Sequence, residues 1–425
     1  MKIEMKTQNQ TDLTFQKPYR SLRYQLLTRG GATLERLGLN LASLDKESLL
    51  EEAKRQTRLN DFGDGRFHIP LSILLDSLKK EASLNFLGKL LFRERLINFL
   101  INRLEIQESF KNNPKIKQVS LKKPLFIIGA HRTGTTFLFN LLARDPNSRW
   151  LRFWESFFPV STLTPEDALI DPRIKKVTKI TADLKSFLPY VDIAHYLDAR
   201  NPEECNPLFE RNFTSDFFMF LVNVPSYYQW LKKQPDLIYA YEYYHFQLQL
   251  LSCQWQEHHW LLKSPFHLSY LEDLLTIFPD ANIIQTHRDP LKSLPSICSL
   301  SSMFRSLYSD RIQPSLVGKQ WLDLITKLLT RGLKARQNIS NNQFFDLNYI
   351  DLIKDPLGSV RQIYAHFGYD FSPTMEKNIQ KYIQENWQHK HGVHRYSLEQ
   401  FSLAPNLVKE KLKDYYDRFN IVSEN

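Results

Sequence analysis

The six residues His131-Arg-Thr-Gly-Thr-Thr136 lie between an apolar run and a helical pattern, and they carry the groups needed to hold an anion. Gly129 and Gly134 frame the turn, Thr133, Thr135 and Thr136 supply hydroxyls, and Arg132 supplies a cation. A strand, a glycine turn and a helix N-terminus together aim backbone N–H groups at a phosphate. The spacing is close to the nucleotide loop G-x-x-x-x-G-K-[ST], and Gly129, Gly134 and Thr136 fit it. Thr135 stands where that loop has its lysine, the residue that reaches the β- and γ-phosphates of a nucleoside triphosphate. The loop therefore suits a nucleotide phosphate that is not part of a triphosphate. An ordinary strand–helix turn would carry the same glycines, so the loop alone does not assign a reaction.

Two further strand ends carry polar groups. Lys263-Ser-Pro closes one apolar run, and Thr286-His-Arg-Asp-Pro closes another. Ser296 follows Arg288 by eight residues, about two helical turns on. An arginine and a hydroxyl so placed suit a second, separate phosphate.

These groups need a frame. Leu125 to Ile128, Trp260 to Lys263, Asn282 to His287 and Phe344 to Leu347 read as short buried strands, with helical patterns between them. Alternation of this kind predicts an α/β fold, a P-loop-like parallel sheet flanked by helices, with ligands at the carboxyl ends of the strands. Leu22 to about Arg103 is helical in pattern, including a segment with Asp45 as its N-cap. The basic connector Lys111–Lys123 divides an N-terminal helical region, 1–120, from the main region, 121–425. Phe217–Leu231 and Tyr241–Trp255 read as aromatic helices; Trp150, Trp154, Tyr227, Tyr228 and Trp230 are candidates to line an apolar cleft, although aromatics at helical spacing more often form core.

The chain has 425 residues and a net charge of +10, which suits anionic ligands or a membrane surface. It has no long basic run or aromatic–basic repeat, so nucleic acid is not expected as a partner. Three widely spaced cysteines suggest neither a disulfide framework nor a zinc site. No apolar run approaches the ~20 residues of a transmembrane helix, and no signal peptide is read, so a cytoplasmic location is expected. Asn212-Phe-Thr214 matches a glycosylation pattern by chance under that reading.

The motifs taken together resemble sulfotransferases that use 3′-phosphoadenosine 5′-phosphosulfate (PAPS), of the bacterial type related to the tyrosylprotein and heparan sulfotransferases. Arg132-Thr-Gly-Thr-Thr136 resembles that family's 5′-phosphosulfate loop, and Arg288 … Ser296 its 3′-phosphate site. Asn201-Pro-Glu-Glu-Cys205, Leu262-Lys-Ser-Pro265, Phe278-Pro-Asp-Ala281, Tyr349-Ile-Asp-Leu-Ile-Lys-Asp-Pro356 and His391-Gly-Val-His-Arg-Tyr396 also match in order. The resemblance implies that residues 131–136 hold the 5′-phosphate and that Lys263 stabilises charge on the bridging oxygen. It places Tyr396, with His394 beside it, near the 3′-phosphoadenosine. It implies PAPS as co-substrate and no metal; His389, His391 and His394 match no firm metal-ligand spacing. A general base must take the acceptor's proton. Glu155, shortly after the loop helix, matches the base of the tyrosylprotein enzymes, and His195 in the loop-rich insert is its rival. Glu203 and Glu204 suit the acceptor site or a helix cap. The acceptor is open among small molecule, lipid, carbohydrate and protein. A nucleotide kinase and a silent nucleotide-binding protein are the alternative readings.

Overall fold

The computed structural model describes residues 12–14, 20–38, 41–161, 171–253, 259–387, 390 and 392–424. Among the described residues there are seven strands: β1 (Asp12–Thr14), β2 (Leu125–Gly129), β3 (Ser148–Trp150), β4 (His259–Lys263), β5 (Asn282–His287), β6 (Phe344–Asn348) and β7 (Val393–Arg395). Five of them form one sheet in the order β3-β4-β2-β5-β6, with every pairing parallel. β1 and β7 pair separately. The four expected strands are all in the large sheet. β3 was not foreseen, because three residues of mixed type give no period to read.

β2 is buried along its whole length, as a central strand covered on both faces must be. Its side chains alternate between two cores. Leu125 and Ile127 face one core, with Leu138, Leu142 and Ile284, and Phe126 and Ile128 face the other. The first core also takes residues of α5 (Thr135–Leu142), the helix that follows the loop.

The N-terminal region is helical, as expected: α1 (Leu22–Arg36), α2 (Lys46–Thr57), α3 (His68–Lys80) and α4 (Phe86–Asn112). Asp45 caps α2 by accepting from the Ser48 N–H at 3.2 Å. These helices do not stand apart from the sheet. Leu49, Leu71, Leu74, Phe92 and Leu100 belong to the same continuous core as Phe126 and Ile128. A bidentate ion pair from Arg95 on α4 to the fully buried Glu210 adds a polar tie.

The aromatic segment Phe217–Leu231 is two helices, Phe217–Leu221 and Pro225–Lys233. Pro225 forces the preceding residue out of helical geometry, which explains the break. Asn212 is buried and accepts from Arg103, so its glycosylation pattern is a chance match. Among the described residues no helix is long and apolar enough to cross a membrane.

Candidate active site at the carboxyl ends of the strands

The loop after β2 owes its shape to three residues with positive φ, namely Gly129 at 144°, Arg132 at 67° and Gly134 at 89°. A Cβ on Gly129 would stand 2.5 Å from the Thr286 hydroxyl, and one on Gly134 would stand 2.8 Å from the Tyr349 ring. Both positions therefore require glycine. Thr133 turns inward and is fully buried; its hydroxyl donates to the Ala130 carbonyl at 2.8 Å and meets the Thr286 hydroxyl at 2.6 Å. Its side chain fixes the loop to β5 and is not offered to a ligand, contrary to the expectation. α5 begins without a side-chain cap, so its first N–H groups face the same space as Thr135 and Thr136.

Lys263 ends β4, opposite Ile127 of β2. It is almost wholly buried, with Nζ 3.3 Å from the Thr136 hydroxyl and in a close ion pair with Glu204 Oε1. Glu204 is carried there because the Cys205 N–H donates to the Lys263 carbonyl at 2.9 Å. Asn206 donates to its other oxygen at 2.9 Å. Burial opposes ionisation of Glu204, but the Lys263 ammonium outweighs this and holds its carboxyl below the usual range. Glu203, one residue earlier, has no such partner. Burial, and then the neighbouring Glu204 charge, push it up to about 7.

The candidate for a second anion site assembles from three elements. Arg132 Nε donates to the Ser296 hydroxyl at 3.1 Å, and Arg288 Nη1 donates to the Arg132 carbonyl at 3.2 Å. The Arg288 guanidinium stacks 3.9 Å over the Tyr349 ring and forms a bidentate pair with Glu424, with contacts of 2.9 Å from both Nε and Nη2. Tyr396 lies close enough to act electrostatically on both arginines. His394 beside it bonds the Ser299 hydroxyl at 2.8 Å. His389 and His391 lie outside the described residues, and among those described no group of three or more His, Cys, Asp or Glu could hold a metal.

Both sites open into one cavity of about 990 Å³. His131, Arg132, Gly134–Thr136, His195, Glu203, Glu204, Arg288 and Tyr349 line its polar end. The remainder is mostly apolar, walled by Leu91 and Phe99 of α4 and by Phe187, Phe220, Leu300 and Phe304, with Glu94, Arg95, Asn98 and Asp183 also on the wall. This volume is at the upper end of the ~300–1,000 Å³ typical of ligand sites. Of the aromatics expected to line a cleft, Trp150, Trp154, Tyr227, Tyr228 and Trp230 are all absent from the wall. Trp154, Tyr227 and Tyr228 are buried in cores instead.

The sequence profile of the sulfotransferase family matches residues 124–373, more than half of the chain. The chain belongs to the sulfotransferase family. The crystal structure of sulfotransferase STF1 from Mycobacterium tuberculosis H37Rv superposes with a TM-score of 0.79 at 31% identity, over 87% of this chain and 98% of that one. STF9 from Mycobacterium avium shares the fold, with a TM-score of 0.84 at 24% identity over 91% and 99% of the two chains. The omega-hydroxy-beta-dihydromenaquinone-9 sulfotransferase Stf3 of Mycobacterium bovis is 28% identical over 165 residues. That match spans 37% of this chain and only 41% of the relative.

Within this sulfotransferase fold the two expected bases fare differently. Glu155 sits on the short helix α6 (Phe153–Phe157) and is 4% exposed. Its carboxylate is tied to Arg149 Nη2 at 2.7 Å, Arg152 Nη1 at 3.2 Å and the Arg152 N–H at 3.0 Å. It is not part of the cavity wall, so its setting is that of a helix-end anchor. His195 does line the cavity, but burial, reinforced by Arg132 and Lys263, pushes it down to about 4. A neutral imidazole with so little affinity for a proton is a weak base. His131 is pushed down to about 4 in the same way, and its Nδ1 has no partner.

The raised Glu203 group has a consequence for stability. Its folded value of about 7 exceeds the ordinary glutamate value, so the folded state binds the extra proton between those values. Stability from this group is full at acid pH and is lost as pH rises through about 7. Urea unfolding of Glu203→Gln should therefore show a gain over the parent at pH 8 that is about 2–3 kcal/mol larger than at pH 4.

Proposed function

We propose that this protein transfers a sulfuryl group from PAPS to a hydroxyl on a largely apolar, lipid-like acceptor. The observation that carries the reading is the Lys263–Glu204 pair, set between the anion loop at Thr136 and the apolar cavity. The residues present suit PAPS. The glycine-shaped loop and the uncapped start of α5 suit one phosphate, and Arg132, Arg288 and Ser296 suit another. PAPS supplies an already activated sulfuryl group, so transfer is a displacement with charge building on the leaving oxygen.

In this reading the loop N–H groups, Thr135 and Thr136 position the 5′ end, and Lys263 neutralises the leaving oxygen. Glu204 takes the acceptor's proton in place of Glu155. Lys263 holds Glu204 ionised; when the ammonium turns toward the leaving oxygen, Glu204 loses that partner and its affinity for a proton rises. The apolar wall excludes water, which would otherwise compete as acceptor. Stf3 is named for a hydroxylated menaquinone, which accords with an apolar acceptor here.

The deciding experiment is calorimetric titration with 3′-phosphoadenosine 5′-phosphate, the product nucleotide, alongside ATP. Binding of the bisphosphate that is weakened at least tenfold in Arg288→Ala and in Arg132→Ala is expected. A preference for ATP would sink the donor assignment and revive the kinase reading.

A further inference from the structure

α1 carries Leu22, Leu26, Leu27 and Leu34, and Leu37 follows it directly. All five are strongly exposed, from 37% at Leu34 to 74% at Leu37. At ~100° per residue they fall within an arc of about 140° on one face, which the exposed Arg23 and Thr33 share. Arg29 and Arg36 are exposed along one edge of that arc. Single exposed leucines are ordinary, but four on one face of a helix, with a fifth just past its end, are not.

The orientation of this face is fixed from behind. Gly31 packs so closely on Phe86 of α4 that a Cβ would stand 1.9 Å from the ring. Tyr24 donates to the Ser306 carbonyl at 3.2 Å and accepts from Asn85 at 2.7 Å. Glu35 pairs with Lys89 of α4 at 3.0 Å. The helix cannot roll its leucines inward without breaking all of these contacts.

Its position is equally specific. Arg23 Nη1 donates to Asp183 at 3.1 Å and to Ser186 at 3.2 Å, and its guanidinium lies 5.0 Å from the Phe187 ring. These contacts are with α7 (Pro172–Phe187), whose Asp183 and Phe187 line the apolar cavity. The leucine face therefore stands beside the cavity rim.

We infer that this face of α1 docks on the surface of an anionic lipid bilayer. A leucine-rich face that carries Arg23 and is edged by Arg29 and Arg36 suits the boundary between headgroups and acyl chains. The overall charge of +10 suits an anionic leaflet. A second copy of the chain fits less well, because a two-fold pairing of this face would bring like-charged arginines toward one another. Docking here holds the cavity rim against the bilayer, so an apolar acceptor passes from lipid to cavity without crossing water. That last step rests on the acceptor reading above, whereas the docking itself does not.

The test is co-sedimentation of the full chain with vesicles of phosphatidylcholine, with and without phosphatidylglycerol. The parent and the double variant Leu26→Asp with Leu34→Asp are compared. Binding to the mixed vesicles is expected, weakened but not abolished by high salt, and reduced more than tenfold in the variant. Calorimetry with 3′-phosphoadenosine 5′-phosphate on the same samples should be unchanged between the two, which shows that the variant is folded. No vesicle binding by the parent, or equal binding by the variant, overturns the inference. A concentration-dependent dimer in sedimentation velocity that the variant breaks also overturns it and assigns the face to a second copy. Vesicle binding without nucleotide binding would refute the donor reading and leave the docking in place.

Discussion

Lys263→Ala is expected to lower the rate constant for sulfuryl transfer about 10²–10³-fold, in line with the loss of one preorganised group that stabilises charge in a transition state. Affinity for 3′-phosphoadenosine 5′-phosphate should change far less, because that ligand also engages the loop and the two arginines. The expected signature is a collapse of kcat with nucleotide affinity largely kept. Pre-steady-state transfer of labelled sulfate, read beside calorimetry, distinguishes this from a simple binding defect. Removing the lysine also leaves Glu204 without its ion-pair partner in an enclosed site, so a fall in unfolding free energy should accompany the kinetic loss. If transfer survived in a folded Lys263→Ala protein, the leaving oxygen would have to be neutralised elsewhere.

Glu204→Gln should cost about 10²–10⁴-fold in turnover, the usual contribution of a positioned general base. The variant keeps the shape of the side chain and its contact with Asn206 while losing the proton acceptor. Its pH–rate profile should lose the acid limb that the parent shows as Glu204 becomes protonated. Glu203 provides the internal control. It lines the same cavity one residue away, yet burial pushes it up to about 7, so that about half of it stays protonated at neutral pH and most of it below. If Glu203→Gln took the large loss and Glu204→Gln were nearly silent, the roles of the two carboxylates would be reversed. Lys263 and Glu204 form one unit, so the double variant should be little worse than the poorer single variant.

The loop and the four main strands were legible because each depends on a local pattern; that the Arg132 side chain leaves its loop for Ser296 beside Arg288 was not, since the sequence assigned it to the other phosphate. An apolar run of four or five residues beside a glycine turn says strand whatever surrounds it. The carboxylate proposed as proton acceptor was not legible in this way. Glu155 was favoured by its distance along the chain from the loop, and that distance says nothing of Arg149 and Arg152, which enclose it. Glu204 reaches Lys263 only because β4 lies beside β2 in the sheet and the Cys205 N–H bonds the last carbonyl of β4. The available signal was the pair of adjacent acids after Asn201-Pro202, which reads equally well as a cap. The cavity wall was not legible for a related reason. Helical spacing of aromatics reports a buried face, and a buried face meets a core or a cavity with the same periodicity. The contribution of α4 to that wall has no sequence signal, since Leu91 and Phe99 look like any core positions.

If Arg288 holds a nucleotide phosphate as proposed, its pairing with Glu424 makes nucleotide binding an exchange of anions. Arg288 carries the protein's own carboxylate as its resting counter-ion, held further by the Glu424 N–H to Asp289 at 3.3 Å. An incoming phosphate must displace it, and the measured affinity is the difference between two occupancies of the same guanidinium. The arginine is thus kept charged, oriented over Tyr349 and shielded from stray anions until a ligand with more than one phosphate competes for it. Selectivity for a doubly anchored nucleotide over free inorganic phosphate follows, because a ligand held by only one anion gains little from the trade.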